Sequence, residues 1–246
     1  MKPPESSVPT VTLHTFQGGW GVRSLSPFCL KADAMLTLAG VPMTPLEPSG
    51  PPKTRSGKLP ALDAGDGVLI EGSDAIADWM RDARGIDLDQ GLSPAQKALA
   101  LMLRRTLEEH LYFVMVKERW AEDRGFRMIK PAYFGHLPPV IRDLVPMMIR
   151  GGVAKSVKGQ GIGRMSTERV SRRIAEDLDA LCAVLGDNEW FFGDRPTSTD
   201  VVAYAFLGNV LAQPEDSELR SAVAGRQTLV DHVERMGALL YTDSAS

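Results

Sequence analysis

Apolar and polar residues alternate over Val11–Phe16 (VTLHTF), rich in β-branched and aromatic side chains, and this period of two predicts a strand. A glycine-rich loop, Gln17–Leu25, follows. Ser26-Pro27 then opens a helix, because serine is a favoured N-cap and proline is tolerated in a first turn; Gly40 supplies the stop. Phe28, Ala32, Met35, Leu36 and Ala39 share one face of it. Met43–Glu47 reads as a second strand and the proline-rich Pro48–Gly57 as a loop. Leu59–Leu62 and Val68–Ile70 read as two strands joined across Gly65-Asp66-Gly67, and Ser73 as the cap of a helix over Asp74–Arg81. Strand-helix-strand, then hairpin-helix, is a small α/β unit with a mixed sheet.

Past Gly91 the period changes to that of helices. Ser93-Pro94 begins a long helix reaching about Trp120, and Arg142–Arg150 is a shorter one. Thr167–Leu185 carries Val170, Ile174, Leu178, Leu181 and Leu185 at spacings of three and four, a stripe on which Cys182 also reads as core. Thr197 starts a helix running to about Leu211, and Leu219–Leu240 closes the chain. The chain therefore divides into an α/β domain over 11–84, a linker over 85–92 and an all-helical domain over 93–246, after a disordered start at Met1–Pro9.

At 246 residues, 43% apolar and 24% charged, the chain has the composition of a globular protein with a sizeable core. A net charge of −3 gives no electrostatic case for binding nucleic acid. The longest apolar stretches, such as Val201–Val210, reach half of the ~20 residues that span a bilayer, and no basic-then-apolar leader opens the chain. Two cysteines, Cys29 and Cys182, make neither a disulfide framework nor a cysteine-built zinc site, and the four histidines are scattered, so no metal site is expected. The reading is a soluble, cytoplasmic protein.

Three short segments carry candidate chemistry. Ser26-Pro27-Phe28-Cys29 stands where a helix follows a strand and loop, the place of the C-x-x-C pair in the thioredoxin fold, with serine at the first position. Free N–H groups and the partial positive charge of a helix start stabilise a thiolate, and a serine hydroxyl can donate to it. A plain N-cap with Cys29 buried beside it is the alternative. Leu59-Pro60 matches the cis-proline site of that fold, whose preceding residue offers main-chain groups to a peptide-like ligand. Glu71-Gly72-Ser73-Asp74 ends a strand and begins a helix, a place for a carboxylate or, equally, for an ordinary cap. Thr197-Ser198-Thr199-Asp200, by contrast, reads as a structural capping box.

From Val11 to Tyr241 these features resemble the cytosolic glutathione transferase superfamily: Leu59-Pro60-Ala61-Leu62, Ser73-Asp74-Ala75-Ile76 and Gly193-Asp194-Arg195-Pro196-Thr197 with Asp200 fall in its order and spacing. The chain is similar to the metaxin-like branch that includes the failed-axon-connections proteins, through Ser24–Lys31, Glu108–Tyr112 with Trp120, and Gln160–Arg164. The resemblance implies an α+β two-domain fold, a thioredoxin-like domain with a mixed four-stranded sheet and then an all-α domain. It implies glutathione as co-substrate and a homodimer. It places Ser26 on the glutathione sulfur, Leu59 and Pro60 on the cysteinyl backbone and Ser73 on the γ-glutamyl carboxylate. Glutathione-binding members usually carry an acidic residue just before that serine; here it is Gly72, with Asp74 as a substitute.

Trp20, in the loop over this site, Tyr112 and Trp120 on the long helix, and Arg164 after Gly161-Ile162-Gly163 are candidate walls and contacts of a substrate pocket; each has a structural reading beside it. Gly151–Lys158, two lysines without acids, reads as a solvated surface. The function implied is conjugation of glutathione to a small hydrophobic electrophile. The alternatives are a non-catalytic metaxin-like binding or scaffold module and monothiol redox chemistry at Cys29.

Overall fold

The computed structural model describes residues 10–65 and 67–241; Met1–Pro9, expected to be disordered, and Asp66 of the expected turn lie outside them. The chain forms two compact units, 1–91 with 237–246, and 92–236.

In the first unit, β1 (Val11–His14), β2 (Met43–Leu46), β3 (Ala61–Asp63) and β4 (Leu69–Glu71) form one mixed sheet in the order β2-β1-β3-β4. β1 pairs parallel with β2 and antiparallel with β3, which pairs antiparallel with β4. β2 is an exposed edge, and there its Pro45 is harmless to the ladder. α1 (Pro27–Leu38) begins at Ser26 and is buried from Cys29 through Leu36, Lys31 and Asp33 included. α2 (Ser73–Arg84) ends at Gly85, which takes the left-handed conformation open to glycine. Its start corrects the sequence reading. Gly72, with φ +93° and ψ 148°, is the N-cap, so the helix begins one residue early and Ser73 lies in the first turn with no side-chain cap above it.

The second unit is helical. One continuous run holds α3 (Pro94–Arg105), a wide π-helical turn (Thr106–Leu111), α4 (Tyr112–Val116) and a second π-helical turn (Lys117–Ala121). After it come α5 (Asp123–Phe134), α6 (Pro139–Gln160), α7 (Thr167–Leu185), α8 (Ser198–Leu211), α9 (Glu218–Ala224) and α10 (Gln227–Tyr241), whose last turn belongs to the first unit. α8 is buried from Thr199 to Val210, the pattern of a helix at the centre of its bundle. The capping box forms: Asp200 Oδ2 accepts from Thr197 N and Oγ1, both at 2.8 Å, and Oδ1 from Phe191 N at 2.9 Å.

Three helical expectations are corrected. α5 is absent from the sequence reading because Gly125 and Pro131 interrupt its pattern. A Cβ on Gly125 would stand 2.0 Å from the Glu118 carbonyl oxygen, so the glycine permits a close approach rather than breaking the helix. α6 runs 22 residues, well past both ends of the expected 142–150 segment, and ends at Gly161 with φ +116°. The closing helix is two: α9 stops at Gly225 before α10 begins. Cys182 is half-buried beside the α7 core stripe, not within it.

Candidate functional site

The loop from β1 to α1 is folded back on itself. Leu25 N–H donates to Gln17 O at 3.0 Å, Ser24 Oγ to Phe16 O at 2.8 Å, and Gly19 and Val22 exchange both backbone bonds. The two residues at its tip, Trp20 (φ +54°) and Gly21 (φ +85°), both take positive φ, as a two-residue hairpin of this kind requires. Trp20 is the only non-glycine residue with positive φ among those described, a conformation disfavoured by roughly 1–3 kcal/mol. Held by this loop, half-buried Ser26 caps α1, its Oγ accepting from Cys29 N–H at 3.4 Å.

Cys29 itself is buried, in a cluster with Leu59 and Ala61 that Phe16 and Leu69 complete. Burial pushes its thiol above the ordinary value; hydrogen bonds from the Phe16 backbone and the Ser26, Thr15 and Ser24 hydroxyls offset part of that rise. The same cluster sets Leu59 beside the first turn of α1. The Leu59–Pro60 peptide is cis, as the resemblance implies. Pro60 O accepts from Gly72 N–H at 2.9 Å, tying the α2 start to the proline, and among the described residues Leu59 N–H and C=O hold no hydrogen bond.

α1 and α2 are joined once more beneath the site. Lys31, 1% exposed, donates from Nζ to Asp74 Oδ1 at 2.7 Å. Asp74, the expected substitute for an acidic residue at position 72, is thus already engaged. Glu71 is engaged too: its carboxylate accepts from Arg55 N–H at 2.6 Å and Ser56 N–H at 3.3 Å, and these bonds hold it below the usual carboxylate range. Ser26, the cis Leu59–Pro60 peptide and Ser73 therefore stand at three linked points of one unit, with two helix starts and one free stretch of main chain. Helix starts favour anionic groups, and main chain without a partner can pair with a peptide-like ligand.

A family model for the glutathione S-transferase N-terminal domain matches residues 27–125, and one for the glutathione S-transferase C-terminal domain matches 174–236. The chain belongs to the glutathione S-transferase superfamily. Among curated proteins it is 28% identical over 242 residues to isoprene-epoxide–glutathione S-transferase of Rhodococcus sp. strain AD45, covering 92% of this chain and 97% of that one. It is 28% identical to Failed axon connections of Drosophila melanogaster, covering 95% of this chain and 58% of that one. With metaxin-1 of Mus musculus it shares 25% identity, over 88% of this chain and 71% of that one. These relatives match the metaxin-like branch. A glutathione S-transferase of Ceriporiopsis subvermispora, solved with glutathione, shares the fold at a TM-score of 0.63 and 16% identity, covering 95% of this chain and 97% of that one.

The helical domain of this transferase-like chain separates its candidate wall residues. Tyr112 meets Phe113 and Phe206 edge-on, at ring separations of 5.3 and 6.2 Å. It lines a cavity of about 10 Å³, with Met115, Phe206 and Leu207, that has room for about one water and not for a substrate. Trp120 packs instead on Tyr133, Phe134 and Phe126. The two aromatics share one helical run but not one neighbourhood. Arg164 is exposed on a short 3-10 turn, Ile162–Arg164. Among the described residues no group of three or more His, Cys, Asp or Glu side chains is placed to hold a metal ion.

Sequence reasoning missed the polar residues beneath the site. Besides Lys31, buried Asp33 accepts from Arg23 Nε at 2.9 Å and from the Tyr241 hydroxyl at 2.7 Å, and Arg23 lies over the Tyr241 ring. The signal was present: two charges two residues apart in a helix otherwise apolar from Pro27 to Leu36.

Proposed function

We propose that this protein conjugates glutathione to a small hydrophobic electrophile. The observation that carries the reading is the linked triad of Ser26 at the start of α1, the free Leu59 main chain before a cis proline, and Ser73 in the uncapped first turn of α2. In this reading Leu59 pairs with the cysteinyl backbone, Ser73 and the α2 amides hold the γ-glutamyl carboxylate, and the sulfur lies at Ser26. The hydroxyl and the α1 dipole lower the bound thiol from roughly 8.5 toward neutrality, raising the thiolate fraction. In this reading Trp20, at the tip of the β1–α1 loop, forms one wall for the electrophile.

The relative named for isoprene epoxide makes an epoxide the first electrophile to try. The thiolate attacks a ring carbon, a C–S bond forms, the C–O bond breaks with its electrons on oxygen, and water protonates the alkoxide. Cytoplasmic placement and a homodimer belong to the same proposal, the latter checked by light scattering after gel filtration.

A non-catalytic binding module is the second reading, favoured by Gly72, which lacks the acidic side chain and whose φ of +93° makes adding one a strained substitution. Calorimetric titration with reduced glutathione separates the two. Binding in the micromolar-to-millimolar range, weakened in Ser73→Ala, is expected, with Ser26→Ala lowering turnover about 10- to 1000-fold in a folded protein, the range of one positioned hydrogen bond. No binding heat up to millimolar glutathione sinks the transferase and leaves the binding module. Unchanged turnover in Ser26→Ala removes Ser26 from the mechanism.

A further inference from the structure

α6 is buried along one side, at Pro146 and Val157, and the opposite side is not what a water-facing helix carries. Ile141, Leu144 and Met148 follow one another there at spacings of three and four, with Val140 and Met147 beside them. Val140 is 71% exposed, Leu144 63% and Met148 78%. Helices of soluble bundles keep such residues inward, and a contiguous apolar face left outward marks an interaction surface. Along the same stripe the helix continues with Gly151, Gly152, Lys155 and Lys158, all exposed, and among the described residues neither lysine holds an ion pair.

The charge of the surrounding segment bears on what covers this face, although only Lys155 and Lys158 lie along the stripe itself. The segment 123–160, α5 and α6 together, holds seven basic residues (Arg124, Arg127, Lys130, Arg142, Arg150, Lys155, Lys158) and two acidic ones (Asp123, Asp143), a net of 7 − 2 = +5. The whole chain is −3, so the other residues net −3 − 5 = −8. Three of the seven are spoken for, in Arg124–Glu215, Lys130–Asp143 and Arg150–Asp123. A second copy seated symmetrically on α6 would set like charge against like. An anionic lipid surface satisfies both features at once, taking the apolar stripe among its acyl chains and the cations at its headgroups. No helix among the described residues is long and apolar enough to cross a membrane, so α6 would lie in the interface.

We propose that the α6 face carrying Ile141, Leu144 and Met148, with Lys155 and Lys158 beside it, docks reversibly on an anionic lipid bilayer. Binding of this kind needs no step of the transferase chemistry and leaves a cytoplasmic protein peripheral to a membrane.

The test is co-sedimentation of the full chain with vesicles of phosphatidylcholine alone and of phosphatidylcholine with phosphatidylserine. The expected result is pelleting with the anionic vesicles, several-fold less with the neutral ones, and weakening as salt rises. Lys155→Gln with Lys158→Gln should weaken partitioning about 30-fold, about fivefold for each charge, and Leu144→Glu with Met148→Glu should abolish it. All four side chains are exposed, so these variants should keep the wild-type circular dichroism. Absence of pelleting with anionic vesicles, or equal pelleting of wild type and Leu144→Glu/Met148→Glu, overturns the proposal. A concentration-dependent dimer that the Glu pair dissolves, without vesicle binding, gives the face to a second copy and overturns it too; capture of an acidic protein partner without vesicle binding does the same.

Discussion

Cys29 and Cys182 share a side chain and almost nothing of its chemistry. Cys29 is fully buried against Leu59 and Ala61, and burial pushes its thiol up. Cys182 sits at the margin of the α7 stripe, half-buried, with Arg226 partly opposing the rise that desolvation causes. Thiolate fraction and access both govern alkylation, so a maleimide should label Cys182 in the native chain and reach Cys29 only on unfolding. Mass spectrometry of the labelled protein checks this. Rapid native labelling of Cys29 would revive the monothiol redox alternative. Ser26 was legible from sequence because a local rule acts on it, a cap before a first-turn proline, whereas Pro60 was legible only through its match to the cis-proline site of the thioredoxin fold. Gly72 was misplaced for an equally local reason, since serine is the commoner cap and the positive φ that gives the role to glycine does not show in a residue's name.

Between elements, the Lys31–Asp74 pair joins α1 to α2 beneath the proposed site. Lys31 is almost wholly desolvated while Asp74 is half-exposed, so removing the carboxylate leaves a buried ammonium and removing both leaves a filled, neutral contact. Asp74→Ala should destabilise the protein by about 1–3 kcal/mol, and adding Lys31→Met should restore most of the loss, read from urea unfolding midpoints. If the double variant is no more stable than Asp74→Ala, the pair carries no coupling. Neither residue announced its partner, because 43 positions separate them and no helical or strand period spans that gap. The same limit applies at α5 and α6. Glycines and prolines signal breaks to local propensity, but Gly125 answers a contact with Glu118 and Gly151-Gly152 ride inside a helix fixed by packing at Val157. α7, whose stripe is uninterrupted, matches its sequence reading from Thr167 to Leu185.

For the molecule as a whole, acid stability turns on a residue outside any proposed chemistry. His232 on α10 is fully buried, its ring edge-on to Phe191 and Trp190, with Nδ1 unpartnered and Nε2 only 3.5 Å from Asp200 O. Desolvation lowers its pKa to about 4, and nearby Arg235 pushes in the same direction. In the unfolded chain the ring titrates near 6.5. Above that value both states are neutral and His232 adds no pH dependence. Between about 6.5 and 4 the unfolded chain takes up a proton that the folded chain refuses, so stability falls as pH falls; below 4 both are charged and the loss levels off. The two values are about 2.5 units apart, which makes the loss about 3 kcal/mol. Asp200, raised by burial, acts in the opposite sense, and its Oδ1 lies 3.9 Å from His232 Nε2, so the two titrate as neighbours. Urea unfolding followed by tryptophan fluorescence, at pH 7 and pH 4.5, should show wild type losing about 2–3 kcal/mol more than His232→Leu. The substitution removes an unpartnered ring nitrogen and keeps an apolar body against Phe191, so the variant should fold. Parallel losses in the two chains would place the acid sensitivity elsewhere, among the carboxylates that native ion pairs hold low, such as Asp123 with Arg150 and Asp143 with Lys130.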